Sequence, residues 1–416
     1  MPNISLKQLV AWISRHELWP TAVGVLLATL SLRFAPWGLA ILAALWLSRR
    51  LGTGHWSIST PVDWPVGVLV VMGGVAWLVT VDRAATALAL SRLLAGLALM
   101  YGIVNWAKTS ARLLLILWGT TMCALLLAVA TPMVIPWQRA GYIPAVATRI
   151  PHLGNLNPNM VAGALVMLVP FPLALVLHPG RSLWRALGAC VSLLVLGALA
   201  LTKSRGAWLA AITATCIMGA SHSLRLMWLL PTLLLLASAS IWPGQILAAL
   251  TVSPQGGTIA GWNLRVEIWR RAYHIILTRP LTGYGADTYQ HIARIFFPAN
   301  SPASPMPHAH NLYLQAALDV GVPGLISFLV LVARTVQHST RALHGYPLDT
   351  VLRSAAWVGC ASLTAMLVHG LVDATTWIVG WGAPLPWLVI GLLLAVVYQA
   401  RQIAHSQEII ADVFAL

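Results

Sequence analysis

Charge is what this chain of 416 residues has least of: Asp, Glu, Lys and Arg together make up 8% of it, against roughly a quarter of an ordinary soluble domain. Hydrophobic residues make up 59%, too many for the remaining polar side chains to cover, so a soluble globular fold is excluded. Acidic residues are scarcer than basic ones, 10 Asp+Glu against 25 Lys+Arg, which leaves a formal net charge of +15. In a soluble protein that excess would point to nucleic acid. Here the basic residues sit between apolar blocks, where they read as membrane flanks and anion contacts, and no nucleic-acid partner is expected. Cysteine is confined to Cys123, Cys190, Cys216 and Cys360, all inside apolar blocks, with no CxxC pair and no histidine at metal-ligand spacing. Neither a disulfide framework nor a structural zinc site is supported.

What is abundant is long apolar blocks. A helix needs about 20 mostly apolar residues to cross some 30 Å of hydrocarbon, and blocks near that size recur along the chain. About twelve spans are expected, at 17–32, 36–48, 64–81, 86–106, 112–131, 159–177, 183–201, 206–220, 225–241, 318–334, 353–372 and 384–400, the second and eighth being short. No cleavable signal is evident at the start, where Lys7, Arg15, His16 and Glu17 lead straight into the first span. The fold class expected is an all-α integral membrane protein.

Orientation follows from the loops, because Lys and Arg resist translocation. With the N-terminus inside, the cytoplasmic side collects Lys7, Arg15, Arg49, Arg50, Lys108, Arg112, Arg181, Arg185, Arg225, Arg334, Arg341, Arg353 and Arg401. The short outer loops hold only Arg33, Arg83, Arg139, Arg149, Lys203 and Arg205. Twenty tryptophans, several near span ends, agree with anchoring at the membrane interfaces. One connection breaks the pattern of short loops, the outer segment 242–317, and a loop that long in a compact protein usually carries function. The chain therefore divides into 1–241 (nine spans), 242–317 (the outer loop) and 318–416 (three spans and a cytoplasmic C-terminus). Within the loop, Trp262, Val266, Trp269, Tyr273 and Ile276 recur at helical spacing from Trp262 to Thr278, with Arg265, Arg270 and Arg271 elsewhere on the helix. This predicts an amphipathic helix at the outer membrane surface, with Arg270 and Arg271 free either to reach lipid phosphates or to serve a site. A second short helix is expected from Asp287 to Phe297, followed by a Pro/Ser-rich stretch to Pro307 that excludes regular helix.

The chemistry gathers on the outer face. His308-Ala309-His310-Asn311 follows Pro305-Met306-Pro307 and opens the tenth apolar stretch, which puts His310 and Asn311 at a helix N-terminus. The positive end of the helix dipole there disfavours imidazolium and favours anions, and a neutral imidazole beside a bound anion suits general-base work near pH 7. The same residues could simply cap the helix. A His-x-His pair could also chelate a metal if a third ligand arrived, but nothing fixes the nearest carboxylates, Asp287 and Asp319, close by. Thr202-Lys203-Ser204-Arg205-Gly206 forms a tight turn that places Arg205 at the membrane boundary. There it either snorkels or presents a fork of donors to phosphate. Arg265 offers a second cation, and Arg139 and Arg149, in the Pro-rich outer loop, are weaker candidates. Asp373 could orient a cation or a sugar hydroxyl, or be an ordinary exposed helix end. No DxD or paired-carboxylate spacing occurs on this face, so metal-dependent sugar transfer with a carboxylate base is disfavoured, and arginine can stabilise a phosphate leaving group instead. A transporter would need ionisable groups near the bilayer midplane. The best-placed one is Arg92, which has no acidic partner on its own helix.

Taken together, these features resemble the bacterial O-antigen ligases and their superfamily, which also holds O-antigen polymerases and protein O-oligosaccharyltransferases. The resemblance rests on Thr202-Lys203-Ser204-Arg205-Gly206, on the turn Arg279-Pro280-Leu281-Thr282-Gly283-Tyr284-Gly285, and on His310-Asn311-Leu312-Tyr313-Leu314-Gln315 with Gly321-Val322-Pro323-Gly324-Leu325. Asn157-Pro158-Asn159 is a weaker fourth match. It covers roughly residues 155–330, while the first five spans match in hydrophobicity alone. It implies a GT-C-like glycosyltransferase of the inner membrane that transfers a glycan from undecaprenyl diphosphate to an acceptor at the periplasmic face, with the lipid A-core as the ligase's acceptor. By the same resemblance His310 corresponds to the essential histidine, and Arg205 and Arg265 to essential arginines. Asn311, Lys203, Arg139, His308, Tyr284 and Asp373 are expected as substrate contacts, with no cofactor, no metal and a monomeric state.

Overall fold

An apolar run inside a membrane has to satisfy its own backbone polar groups, and an α-helix does so within one segment. The computed structural model describes residues 16–135, 153–154, 156–177, 182–223, 225–228, 232, 258–297, 306–377 and 382–414. Among these the regular structure is entirely helical, with no strand. In chain order the helices are α1 (Leu18–Leu30), α2 (Ala35–Thr53), α3 (Asp63–Val79), α4 (Arg83–Trp106), α5 (Ser110–Val134), α6 (Pro158–Leu168), α7 (Pro170–Leu177), α8 (Ser182–Thr202), α9 (Arg205–Ala220), α10 (Thr258–Thr278), α11 (Tyr289–Phe296), α12 (Leu312–Gly345), α13 (Thr350–Gly370) and α14 (Pro384–Phe414).

Seven stretches are long and apolar enough to cross a membrane: α4, α5, α6 with α7, α8, α12, α13 and α14. The expected first, second, third and eighth spans coincide with α1, α2, α3 and α9, which are shorter or less apolar. The expected ninth span, 225–241, lies mostly outside the described residues, as do Arg139 and Arg149.

Local chemistry sets several helix starts. Asp82, Thr109 and Asp349 cap α4, α5 and α13 by accepting from backbone N–H groups in the first turn. The Asn157-Pro158-Asn159 motif is itself a helix start: the Asn157 side chain accepts from the Asn159 N–H at 2.9 Å, and Pro158 takes the first helical position.

The connections collect at two ends of the bundle. At one end the Thr86 hydroxyl donates to the Ala286 carbonyl at 2.9 Å, Asn311 to that of Leu371 at 2.9 Å and Thr375 to that of Asn159 at 3.3 Å. At the other end the Ile58 N–H donates to Asn105 Oδ1, Ser110 meets Asp349, and Arg334 donates to the Pro61 carbonyl. The basic residues Arg49, Lys108, Arg112 and Arg334 belong to this second end, in keeping with the alternation that the loop charges predict.

The long loop builds a small core of its own. Ile268, Ala272, Ile275 and Ile276 of α10 pack with Tyr289, Ile292 and Ala293 of α11, with Ala309, and with Ala317 and Leu318 of α12. This corrects part of the expected face of α10: of the stripe read from the sequence, Trp262, Val266 and Tyr273 are exposed, while Trp269 packs against this core and Ile276 belongs to it. Arg271 is corrected as well. It is buried, its Nε lies 2.8 Å from Glu267 Oε1, and its guanidinium stacks over Phe297, so it is not free to reach lipid. Arg270 is exposed.

α12 starts six residues before the expected span and is broken at Val320 and Gly321. Gly321, at φ 71° and ψ 169°, holds a backbone conformation that is essentially restricted to glycine. The break admits the turn 279–285: the Tyr284 N–H donates to the Leu318 carbonyl at 2.7 Å, and the Val322 N–H to that of Pro280 at 2.8 Å. Gly283 (φ 66°) lies against Leu318 and Gly321, and Gly321 against Leu281, with no room for a Cβ at either position. Two sequence motifs some forty residues apart are thus one backbone-to-backbone contact.

Candidate active site

The segment before α12 is held from several sides. Asn311 caps the helix, its side-chain oxygen accepting from the Tyr313 and Leu314 N–H groups at 3.0 Å each, while its amide donates to the Leu371 carbonyl. Most of its hydrogen-bonding capacity is therefore spent on structure, leaving one amide N–H for any ligand. The Ala309 N–H donates to Gln315 Oε1 at 2.8 Å, and Gln315 Nε2 to Asp319 Oδ1 at 2.8 Å. Asp319, wholly buried one residue before the break, also accepts from the Asp287 N–H and from the Trp377 indole at 2.9 Å. Its carboxylate ties together α12, the 285–288 turn and the loop after α13. The Asp319 carboxylate is thus occupied away from the histidine pair, and Asp287 meets it through its backbone N–H.

His310 sits just outside the helix with φ 46°, in the left-handed region that non-glycine residues adopt rarely and often at functional sites. Its carbonyl accepts from the Trp269 indole at 3.1 Å, and its N–H donates to His308 Nδ1 at 3.2 Å. The two imidazoles lie with centroids 4.1 Å apart. His310 Nδ1 is 3.3 Å from Asp373 Oδ2, which leaves Nε2 as the ring atom open to a ligand. Asp373 is only 1% exposed, so the exposed helix end considered from the sequence is excluded. Burial opposes ionisation of this carboxyl, yet the hydrogen bond to His310 and the fields of the neighbouring histidines hold it below the ordinary carboxylate range.

His308 is buried, and desolvation depresses its pKa to about 4, with Asp373 pulling the other way. It is neutral at neutral pH, and because Nδ1 accepts from His310, its ring proton belongs on Nε2. Acid stability follows from this. An unfolded His308 takes up a proton near pH 6.5, whereas the folded one refuses it until about pH 4, so stability falls as pH drops through that window. The Asp373 contribution is lost only below the unfolded carboxyl range, near pH 4. His308→Asn, which keeps an acceptor near the Nδ1 position, is expected to flatten the fall in thermal midpoint between pH 6.5 and 4; an unchanged profile would show that another group sets it.

The two arginines flank this cluster. Arg265 lies one helical turn, about 6 Å, before Trp269, and its charge is felt at His308. Arg205 is exposed at the first position of α9, after Lys203 with φ 52°. A cation there opposes the helix dipole, and Arg205 forms no ion pair with any described residue; both facts favour an anion as its partner. Gly206, next to it, packs so closely on Val372 that a Cβ would overlap that side chain. α9 thus begins beside the residue that precedes Asp373. Burial lowers the Lys203 pKa. Tyr284 is buried in the loop core with its hydroxyl 2.5 Å from Thr278 Oγ1, and Arg279 stacks on its ring, so its side chain is engaged in packing.

Sequence reasoning missed His369. It is 1% exposed, and neither ring nitrogen has a hydrogen-bond partner among the described residues. Its carbonyl accepts from the Asp373 N–H at 3.0 Å, and its ring lies against Gly163 and close to Gly206. The i, i+4 spacing of His369 and Asp373 was visible, but the partners brought by α6 and α9 were not. The third metal ligand that the sequence could not place is also supplied: His308, His310 and Asp373 each bring a ligand atom within 4.8 Å of the others. That set has the number and type of ligands of an open zinc site, built from the same atoms that form the His310–Asp373 pair. Arg92, the charge noted inside a span, donates to the Thr29 carbonyl and feels the charge of Asp287 from the loop.

Residues 190–329 match the family model described as O-antigen ligase, the superfamily that the motifs resemble. The match covers about a third of the 416 residues, from within α8 to within α12, and takes in Arg205, Arg265, His308 and His310 but not Asp373 or His369. No curated protein matches the chain.

Proposed function

We propose, on the premise that residues 190–329 form an O-antigen ligase family domain, that the chain is an O-antigen ligase of lipopolysaccharide biosynthesis. It transfers a glycan from undecaprenyl diphosphate to a sugar hydroxyl of the lipid A-core at the periplasmic face of the bacterial inner membrane. The observation that carries the reading is the His310–Asp373 pair, set beside Arg265 and the helix start at Arg205. The three-part division of the chain and a monomeric, GT-C-like architecture belong to the same proposal.

In this mechanism the donor diphosphate lies against Arg205 and Arg265 at the membrane boundary, its lipid tail between helices and its glycan outside. Asp373 orients His310 through Nδ1 and stabilises the imidazolium that forms. His310 Nε2 takes the proton of the acceptor hydroxyl as that oxygen bonds to the anomeric carbon. The bond from that carbon to phosphate breaks, and the electron pair leaves with undecaprenyl diphosphate. One displacement inverts the anomeric centre, and the arginines, rather than a divalent ion, stabilise the departing charge. A metal on the histidine pair would compete with Asp373 for His310.

Purified protein incubated with undecaprenyl diphosphate-linked glycan and lipid A-core in EDTA is expected to yield lipid A-core carrying glycan mass. Loss of activity in EDTA that added Zn²⁺ or Mg²⁺ restores would overturn the metal-free mechanism. Elongation of the undecaprenyl-linked chain alone would make the protein a polymerase, and transfer to a protein hydroxyl an oligosaccharyltransferase. Arg205→Ala is expected to weaken donor binding and to cost about 10²-fold or more in turnover; unaltered kinetics would remove Arg205 from the site.

A further inference from the structure

At the end of the bundle opposite His310, a cavity of about 580 Å³ is lined by Glu17, Arg49, His55, Asn105, Lys108 and Arg112 among others. Its charges do not cancel: three cations face one carboxylate. Arg49 is 5% exposed; it faces Glu17 and donates to the Trp56 carbonyl at 2.7 Å. Its Nε nonetheless lacks an acceptor among the described residues, a costly state for a buried charged donor. Lys108 forms no ion pair with any described residue. Burial and the nearby charges of Arg112 and Arg49 disfavour its protonation, the mark of cations gathered without enough anions. Arg112 is held over the Trp106 ring at 5.0 Å and donates to the Trp106 carbonyl, so its guanidinium is positioned in advance.

This polar cavity runs into an apolar groove of about 1190 Å³ between α2, α3 and α4, and His55, Ser57, Ile58 and Ser59 line both. Leu42, Trp46, Val66, Val70 and Leu97 form part of its walls. A cationic pocket at the end of a helix bundle that continues into an apolar groove along the helices has the amphipathic form of a phospholipid. Basic pockets between membrane helices recognise anionic head groups in this way.

We propose that this cavity and groove form a binding site for an anionic phospholipid of the leaflet opposite the active site. The phosphate sits among Arg49, Lys108 and Arg112, and an acyl chain lies along the groove between α2, α3 and α4. The proposal does not depend on the catalytic reading, because it uses none of its residues.

Full-length protein in detergent can be titrated with phosphatidylglycerol, phosphatidylethanolamine and soluble glycerol phosphate, with bound ligand read by native mass spectrometry. Phosphatidylglycerol is expected to bind at least about tenfold more tightly than phosphatidylethanolamine, because both bring the phosphate but the ethanolamine ammonium adds a like charge beside Arg49, Lys108 and Arg112. The double variant Lys108→Ala/Arg112→Ala should remove that preference. Val70→Trp, which fills the groove from an exposed position, should weaken phosphatidylglycerol binding while sparing the head-group cavity. Equal binding of the two lipids, or a preference that survives the double variant, would overturn the proposal. Glycerol phosphate binding as tightly as the lipid would overturn the lipid assignment and make the cavity a site for a soluble phosphate.

Discussion

Removing the His310 side chain is expected to lower glycan transfer by about 10²–10⁴-fold, the usual contribution of a positioned general base, while donor binding stays largely intact. His310→Asn is the cleaner variant, because asparagine tolerates the left-handed conformation that His310 adopts at φ 46°, whereas alanine adds strain of about 1–2 kcal/mol. Asp373→Asn should cost a comparable factor with little change in donor affinity, because the amide cannot stabilise an imidazolium and can hold Nδ1 in the wrong tautomer. Initial rates against donor concentration, set beside direct donor binding, separate these effects from those of Arg205, whose loss should show in both. Near-normal turnover in His310→Asn would sink the general-base assignment. An Asp373→Asn variant as active as the parent would reduce the 3.3 Å contact to packing.

The second large effect is structural. Gly321→Ala and Gly283→Ala are each expected to destabilise the protein by about 3 kcal/mol or more, combining a backbone conformation that costs about 1–3 kcal/mol outside glycine with steric overlap. A Cβ on Gly283 would stand 2.5 Å from the Leu318 carbonyl oxygen and 2.7 Å from the Gly321 nitrogen, and those atoms are backbone and cannot swing aside. One on Gly321 would overlap the Leu281 carbonyl. Gly74→Ala is the control: it lies within α3 with nothing near its missing Cβ, so helix propensity alone predicts stabilisation of up to about 1 kcal/mol. Thermal denaturation in detergent measures all three. If the Gly283 and Gly321 variants melt with the parent, the turn and the broken helix do not lock each other as their hydrogen bonds indicate.

The two effects show where local pattern stops carrying information. Apolar run length and the near absence of charge pointed to the helical membrane class and located helices at eleven of the twelve expected spans, seven stretches of which are long and apolar enough to cross a membrane, because a helix in lipid closes its hydrogen bonds within four residues. The start of α12 was legible for the same reason, since the Asn311 cap reaches only Tyr313 and Leu314. The face of α10 was legible only in part. Apolar side chains at two angular positions satisfy the same periodicity, and only packing against α11 and α12 decided that Ile268 and Ala272 turn inward. The partner of His310 was equally hidden: Asp373 lies 63 residues away, and it reaches the imidazole only because α13 returns the chain to the end where α12 begins. The burial of the His369 ring beside Gly163 and Gly206, the joining of Gly283 to Gly321, and the meeting of Arg49 with Lys108 and Arg112 have the same origin. By itself the sequence determined which segments are helices and which residue types could do chemistry. Tertiary structure decided which of them meet, because contacts across tens of residues depend on how whole helices pack, which no window of neighbouring residues encodes.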